Sequence, residues 1–178
     1  MEKLEIKPDE SGYSNINGIQ LYYEIYGKGK PLVLIHGGGS TIQTTFANAI
    51  PLFSKSRKLI CIELQAHGRT EDRDNPLSFE QDADDIATLL ENLHIEKTSL
   101  FGFSNGGMTA IQFAIKYPNK CDKIVAASVI LKRNGTFPLF WDFIKNSTLN
   151  DILGNIQKCI FSTHTRQTEI IKYASKMC

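Results

Sequence analysis

Short apolar runs, each bounded by turn residues, alternate along the chain with stretches of helical periodicity. The first two β-prone runs, residues 13–17 and 19–26, meet at Asn17 and Gly18. An Asn-Gly pair favours a two-residue hairpin turn because both turn positions need a positive φ. The chain is therefore predicted to open with an antiparallel hairpin.

The rest of the pattern predicts strands and helices in alternation. The predicted strands are 31–35, 58–64, 98–101 and 122–129, and the predicted helices are 45–53, 79–93 and 108–117. Ser78, with Gln81 three residues later, forms a capping box for the second helix. This alternation indicates an α/β fold, a mostly parallel sheet with helices on both faces.

Three acidic residues, Asp82, Asp84 and Asp85, fall in the first turns of the second predicted helix. The helix dipole favours negative charge there. The run is therefore interpreted as a solvated face rather than a metal site.

Composition limits the function classes. With 178 residues and 42% hydrophobic content, the chain is expected to be a globular protein of about one domain. Its net charge of +1 gives no electrostatic reason to expect binding to nucleic acid or to an anionic membrane. Residues 1–10 are charged and unlike a signal peptide, which predicts a cytoplasmic location. Four widely spaced cysteines, without a C-x-x-C pair, suggest neither zinc nor disulfides.

The candidate chemistry centres on residues 102–106, which read Gly-Phe-Ser-Asn-Gly. This is the G-x-S-x-G pattern of a nucleophile elbow, in which a serine sits on a strained turn between a strand and a helix. A predicted strand precedes Ser104 and a predicted helix follows it. Ser104 is therefore the candidate nucleophile.

A glycine cluster, His36-Gly37-Gly38-Gly39, follows the third strand. Such a cluster can bind phosphate, but the P-loop lysine and the Rossmann spacing are missing. The alternative is an oxyanion loop of the H-G-G-G type, which donates a backbone N–H to a tetrahedral intermediate.

From about residue 12 to about residue 150 the chain resembles α/β-hydrolases of the Ser-nucleophile type. The glycine cluster and the elbow stand in family order, and between them residues 63–70 resemble the family's D-x-x-G-x-G-x-S, with Glu63, Ala66 and Thr70 as departures.

The resemblance implies roles for five residues. Ser104 attacks an acyl carbon, and the N–H groups of Gly38 and Asn105 form the oxyanion hole. His36 and Gly37 support the oxyanion loop. No cofactor and no metal are implied.

The rest of the expected triad is missing. In the family the acid and the histidine usually follow the seventh and eighth strands, whereas this chain ends soon after the sixth. His164 is the only histidine beyond Ser104, and Asp142 lies in what resembles the start of the lid. His67 and His94 are not expected to be the base. Activity is therefore predicted to be impaired.

The expected domains are a hydrolase core, 1–137, and a region, 138–178, that begins as a cap and continues as an atypical tail. We hypothesise that a single-base frameshift near Asp151 produced this tail. Loss of the last two strands would leave residues 124–129 as a bare sheet edge, which predicts self-association.

Three functions remain open: a hydrolase of small carboxylic esters, lactones or similar acyl compounds, a catalytically inactive binding protein or gene remnant on the same fold, and a cofactor-free perhydrolase or C–C bond hydrolase. The expected partner is a small acyl molecule, with no nucleic acid and no membrane.

Overall fold

The computed structural model describes residues 6–135, 137 and 139 and contains one six-stranded sheet with the order β1-β2-β4-β3-β5-β6. The strands are β1 Glu10–Ile16, β2 Ile19–Tyr26, β3 Lys30–Ile35, β4 Arg57–Ile62, β5 Thr98–Phe103 and β6 Cys121–Ala127. The helices are α1 Ile42–Phe46, α2 Ile50–Phe53, α3 Phe79–Asn92 and α4 Asn105–Lys116, and a 3₁₀ turn spans Arg133–Gly135.

Strand directions match the predicted fold class. β1 and β2 form an antiparallel hairpin, and its turn residues Asn17 and Gly18 have φ of 45° and 88°. β2 is also antiparallel to β4, whereas the β3–β4, β3–β5 and β5–β6 pairs are parallel. The mostly parallel sheet with an N-terminal antiparallel hairpin is therefore confirmed.

Both faces of the sheet are covered, as the unbroken apolar strands predict. On one face Val33, Ile60 and Leu100 belong to the cluster that includes the buried residues of α3 and α4. On the other face Phe101 packs edge-on against Phe46 of α1 and Phe53 of α2, with ring centroids 5.7 and 6.1 Å apart. Continuous burial on two sides accounts for strands with no polar alternation.

The single helix expected over residues 45–53 is instead two short helices, α1 and α2. Pro51 lies in the first turn of α2. Proline has no N–H, and its ring clashes with the carbonyl four residues earlier, so a helix cannot run through this position. The prediction was wrong because it passed over Pro51.

The elements from β1 to β6 lie in one compact unit, Met1–Val129, and the 3₁₀ turn belongs to a second, Ile130–Cys178. Asp142, His164 and the tail from Asp151 lie outside the described residues. Within residues 6–135, β6 pairs only with β5, and self-association at this edge stays a prediction. In the described part of the chain, no helix has the length and apolar character to cross a membrane.

Candidate active site

Ser104 stands at the junction of β5 and α4 with φ 52° and ψ −112°, a conformation rare for residues that carry a Cβ. Its N–H donates to the Ala127 carbonyl of β6 at 2.8 Å. Its own carbonyl accepts from Gly107 and Met108, in the first turn of α4, at 3.0 and 3.2 Å. The strained backbone is thus held from the sheet on one side and by the helix on the other.

Two glycines allow this junction to close. A Cβ on Gly102 would lie 2.0 Å from the Gly106 carbonyl oxygen, and a Cβ on Gly106 would lie 2.2 Å from that of Ile35. The missing Cβ atoms let α4 approach the ends of β5 and β3 closely. The residues that follow β3 are therefore brought against the elbow.

The candidate oxyanion loop begins directly after β3. A Cβ built on Gly37 would lie 3.5 Å from the Cβ of Ser104, and one built on Gly38 would lie 3.7 Å from the Cβ of Asn105. Asn105 is the first residue of α4, where backbone N–H groups have no acceptor inside the helix. The structure thus brings together the five residues that the sequence selected.

His36 is fully buried beneath the loop. Its Nε2 accepts from the Leu64 N–H at 3.0 Å, so Nδ1 carries the proton and donates to the Gly37 carbonyl at 2.7 Å. Burial lowers the pKa of His36 to about 4. His36 is therefore a neutral bridge between the oxyanion loop and the segment after β4, with neither nitrogen available as a base.

His67 makes a second bridge of the same kind. Its Nε2 accepts from the Gly39 N–H at 3.0 Å, and Nδ1 donates to the Gln65 carbonyl at 2.8 Å. The His36 and His67 rings lie 5.0 Å apart. The sequence pattern did not predict this bridge, although the place of His67 in the glycine-containing loop after β4 is a signal that could have indicated it.

We expect His67→Ala to accelerate amide hydrogen exchange at Gly39 by about tenfold, because the substitution removes the acceptor that this N–H has among the described residues. Exchange resolved by NMR would measure it. His94→Asn is the matched control, since His94 is exposed and has φ 55°, a conformation that asparagine tolerates. Unchanged exchange at Gly39 in His67→Ala would show that His67 does not hold the loop.

The loop after β4 is fixed by a buried carboxylate. Glu63 accepts from the Arg69 main-chain N–H at 2.6 Å and from Nε and Nη2 of the same residue at 3.0 and 2.8 Å. Arg69 also pairs with Glu24 at 3.0 Å and lies over the Tyr22 ring. Burial alone would raise the pKa of Glu63, but the Arg69 hydrogen bonds hold it below its usual value.

The departures from the family motif are accommodated at two further positions. Thr70 donates from Oγ1 to the Glu63 carbonyl at 2.6 Å and accepts from the Tyr22 N–H at 2.9 Å, bonds that a serine hydroxyl can also make. Ala66 stands at a family glycine position and has φ 59°. The left-handed conformation of an alanine lowers the free energy of unfolding by about 1 kcal/mol, and the loop keeps this conformation despite that cost.

The interpretation of the acidic run of α3 as a solvated face was wrong for two of its residues, Asp82 and Asp85. Asp82 and Asp85 are buried, 7% and 1% exposed, rather than solvated. Asp85 forms an ion pair with Arg73 and accepts from Asn17, and these contacts satisfy its charge inside the protein. Ser78 caps the helix as predicted, but the Gln81 side chain donates to Asp85 instead of completing the capping box.

A cavity of about 470 Å³ opens beside the candidate oxyanion residues. Its lining combines both candidate oxyanion donors with the loop after β4 and the start of α3: Gly38, Leu64, Gln65, His67, Leu77, Ser78, Phe79, Glu80, Asp82 and Asn105. Its size suits a small molecule. In the described part of the chain no cluster of three or more histidine, cysteine or acidic residues is arranged to hold a metal ion.

The chain is similar in sequence to known hydrolases. The family model for the alpha/beta hydrolase fold matches residues 30–176. Serine hydrolase BPHL of Mus musculus is 37% identical over 116 residues, which cover 62% of this chain and 40% of that protein. The chain therefore spans well under two thirds of that relative.

Solved structures agree with the fold. The epoxide hydrolase CorEH superposes with a TM-score of 0.69 at 25% identity, covering 77% of this chain and 49% of that one. The meta-cleavage product hydrolase CumD of Pseudomonas fluorescens IP01 gives a TM-score of 0.63 at 28% identity, covering 68% and 45%.

Proposed function

The chain belongs to the α/β-hydrolase fold family, and from that premise we propose that it acts on a small carboxylic ester, lactone or related acyl compound through Ser104. One observation carries the proposal: Ser104 is held in a strained conformation at the strand–helix junction, directly against the Gly37-Gly38 loop. That is the arrangement of a nucleophile beside its oxyanion hole.

The chemistry would proceed by addition. The Ser104 hydroxyl oxygen bonds to the acyl carbon, the carbonyl π electrons move to oxygen, and the N–H groups of Gly38 and Asn105 stabilise the resulting oxyanion. Each such donor is worth about 3 kcal/mol in the transition state. The hydroxyl proton must pass to a base, and neither His36 nor His67 can take it, because both nitrogens of each ring are engaged.

A second candidate, a non-catalytic binding protein on the same fold, is favoured by one observation. Within residues 6–135, none of the hydrogen bonds of His36 and His67 reaches Ser104. A serine without a base keeps the reactivity of an ordinary alcohol. The cavity beside the oxyanion loop would then bind a small acyl compound without turning it over.

We expect a fluorophosphonate to label Ser104 slowly but to completion, because the oxyanion donors can act on the phosphoryl oxygen without a histidine. Intact-mass spectrometry should show one adduct on the unmodified chain and none on Ser104→Ala. The control is Ser56→Ala, since Ser56 is an exposed serine outside the site.

The pH dependence separates the two candidates further. The labelling rate should be slow and p-nitrophenyl ester turnover slight, consistent with the residual activity of serine hydrolases without their histidine. Both rates are expected to be flat between about pH 6 and 8, because no imidazole titrates in the reaction. A limb near pH 6.5 would reveal a histidine base. An adduct that persists in Ser104→Ala would exclude Ser104 as the nucleophile, and no adduct on any variant would favour the binding protein.

A further inference from the structure

The cavity beside the oxyanion residues contains a buried carboxylate that the proposed acyl chemistry does not use. Asp82 of α3 lines the cavity and is 7% exposed. The hydroxyl of Thr109 donates to its Oδ2 at 3.2 Å, but that hydroxyl also lies 3.3 Å from the Asn105 carbonyl oxygen. Because a hydroxyl has one proton to donate, Asp82 receives at most a shared hydrogen bond.

No described cation forms an ion pair with Asp82. Arg73 is near enough to favour the charged carboxylate, but its ion pair is with Asp85, whose own charge acts in the opposite sense. Burial raises the pKa of Asp82 to about 6. Near neutral pH, Asp82 is therefore mostly a buried anion without a cation, a state that costs folding free energy.

A second acceptor in the same wall is also unsatisfied. Gln65 lines the cavity and is 1% exposed, and no donor in the described part of the chain reaches its Oε1. The orientation of this amide is fixed, because Nε2 donates to Asp72 Oδ1 at 2.8 Å and to the Asn75 carbonyl at 3.2 Å. Exchanging Oε1 and Nε2 would set oxygen against oxygen, so the unpartnered atom is an acceptor.

We propose that this cavity binds the ammonium group of an amine-bearing acyl substrate, with Asp82 as the counter-ion and the unpartnered Gln65 Oε1 behind the wall adding negative potential. Glu80 in the same wall adds negative potential, and Leu77 and Phe79 offer apolar surface for the carbon chain beside the amine. The inference deepens the proposed function and rests on it, because the oxyanion donors Gly38 and Asn105 line the same cavity.

The test compares two probes of nearly equal shape, benzylammonium and benzyl alcohol. Titration at pH 7.5, followed by NMR at the Gly38 and Asn105 amides, should show about tenfold tighter binding of the ammonium, because it gains a charge-assisted hydrogen bond. Asp82→Asn should remove that preference. Asp84→Asn should keep it, because Asp84 is on the same helix but pairs with Lys116 outside the cavity.

The outcomes are decisive in both directions. Equal binding of the two probes to the unmodified chain, or an ammonium preference that survives Asp82→Asn, overturns the proposal. The probe comparison needs no variant, so it stands even if a substitution disturbs folding. Repeating it on Ser104→Ala separates the two ideas: the preference should persist there, whereas a failed acyl reaction alone would count only against Ser104.

Thermal unfolding adds an independent check on Asp82. The pKa of Asp82 is 3.8 in an ordinary setting and about 6 in the folded protein. The free energy of unfolding therefore falls as the pH rises from about 3.8 to about 6, because the carboxyl loses its proton more readily in the unfolded chain. The neighbours Thr109, Asp85 and Arg73 stay in place in Asp82→Asn, so the variant should melt about 5 °C higher at pH 7.5 and about equally at pH 3.5. A lower melting temperature at pH 7.5 would mean that Asp82 is already satisfied.

Discussion

Replacing Gly106 with alanine is expected to lower the free energy of unfolding by about 3 kcal/mol and to open the junction between β5 and α4. The new Cβ would meet the carbonyl oxygens of Ile35 and His36 at 2.2 and 2.5 Å. Both are backbone atoms of β3 and the oxyanion loop, so no rotamer change relieves the contact. Chemical denaturation followed by circular dichroism would measure the loss.

Gly12→Ala provides the control for that experiment. Gly12 lies in β1, and a Cβ built there has no atom within 4 Å. We expect this variant to stay within about 1 kcal/mol of the parent, since alanine only restricts the unfolded chain. If both variants unfold at the same denaturant concentration, the close approach at Gly106 is not what holds the elbow.

The second large effect is expected from Arg69→Met. This change leaves two buried carboxylates, Glu63 and Glu24, which are 1% and 3% exposed, without their shared cation. Breaking such a pair typically costs about 3–5 kcal/mol, and we expect about 3 because the Arg69 side chain is 40% exposed. Lys116→Met, which breaks a partly exposed pair with Asp84, should cost less than about 1 kcal/mol.

The sign of the pH dependence follows from Glu63. Arg69 holds the pKa of Glu63 below its ordinary value of 4.5, so the pair contributes stability above that pH and loses it as pH falls. The difference between the parent and Arg69→Met should therefore be largest near neutral pH and shrink below about pH 4. A difference that does not change between pH 7 and pH 3.5 would show that the variant acts through packing alone.

Much of the fold could be predicted because its signals are local. The Asn17-Gly18 turn encodes its own positive φ values, and the unbroken apolar runs of β3 and β4 reflect cover on both faces. The elbow could be predicted for the same reason, since close backbone contacts near Ser104 require the two glycines that flank it.

What could not be predicted depends on partners distant in sequence. Asp85 is buried because Arg73 and Asn17 satisfy it, and Asn17 comes from the hairpin, far from α3 along the chain. His67 bridges to Gly39, which precedes it by 28 residues. Local charge and periodicity do not encode such pairings. The sequence pattern therefore indicated a solvated helix start at Asp82 and Asp85, and it gave no sign that His67 bonds to the loop after β3.

The hydrogen bond from the Ser104 amide to the Ala127 carbonyl also affects the order of events during synthesis. A nascent chain leaves the ribosome from its N-terminus, so the serine emerges before the carbonyl that anchors it. At roughly 5 to 20 residues per second, the wait is about one to five seconds. During this interval β6 cannot hold the strained backbone. The serine therefore acquires its strained conformation only after β6 has been made, later than the glycine loop that follows β3.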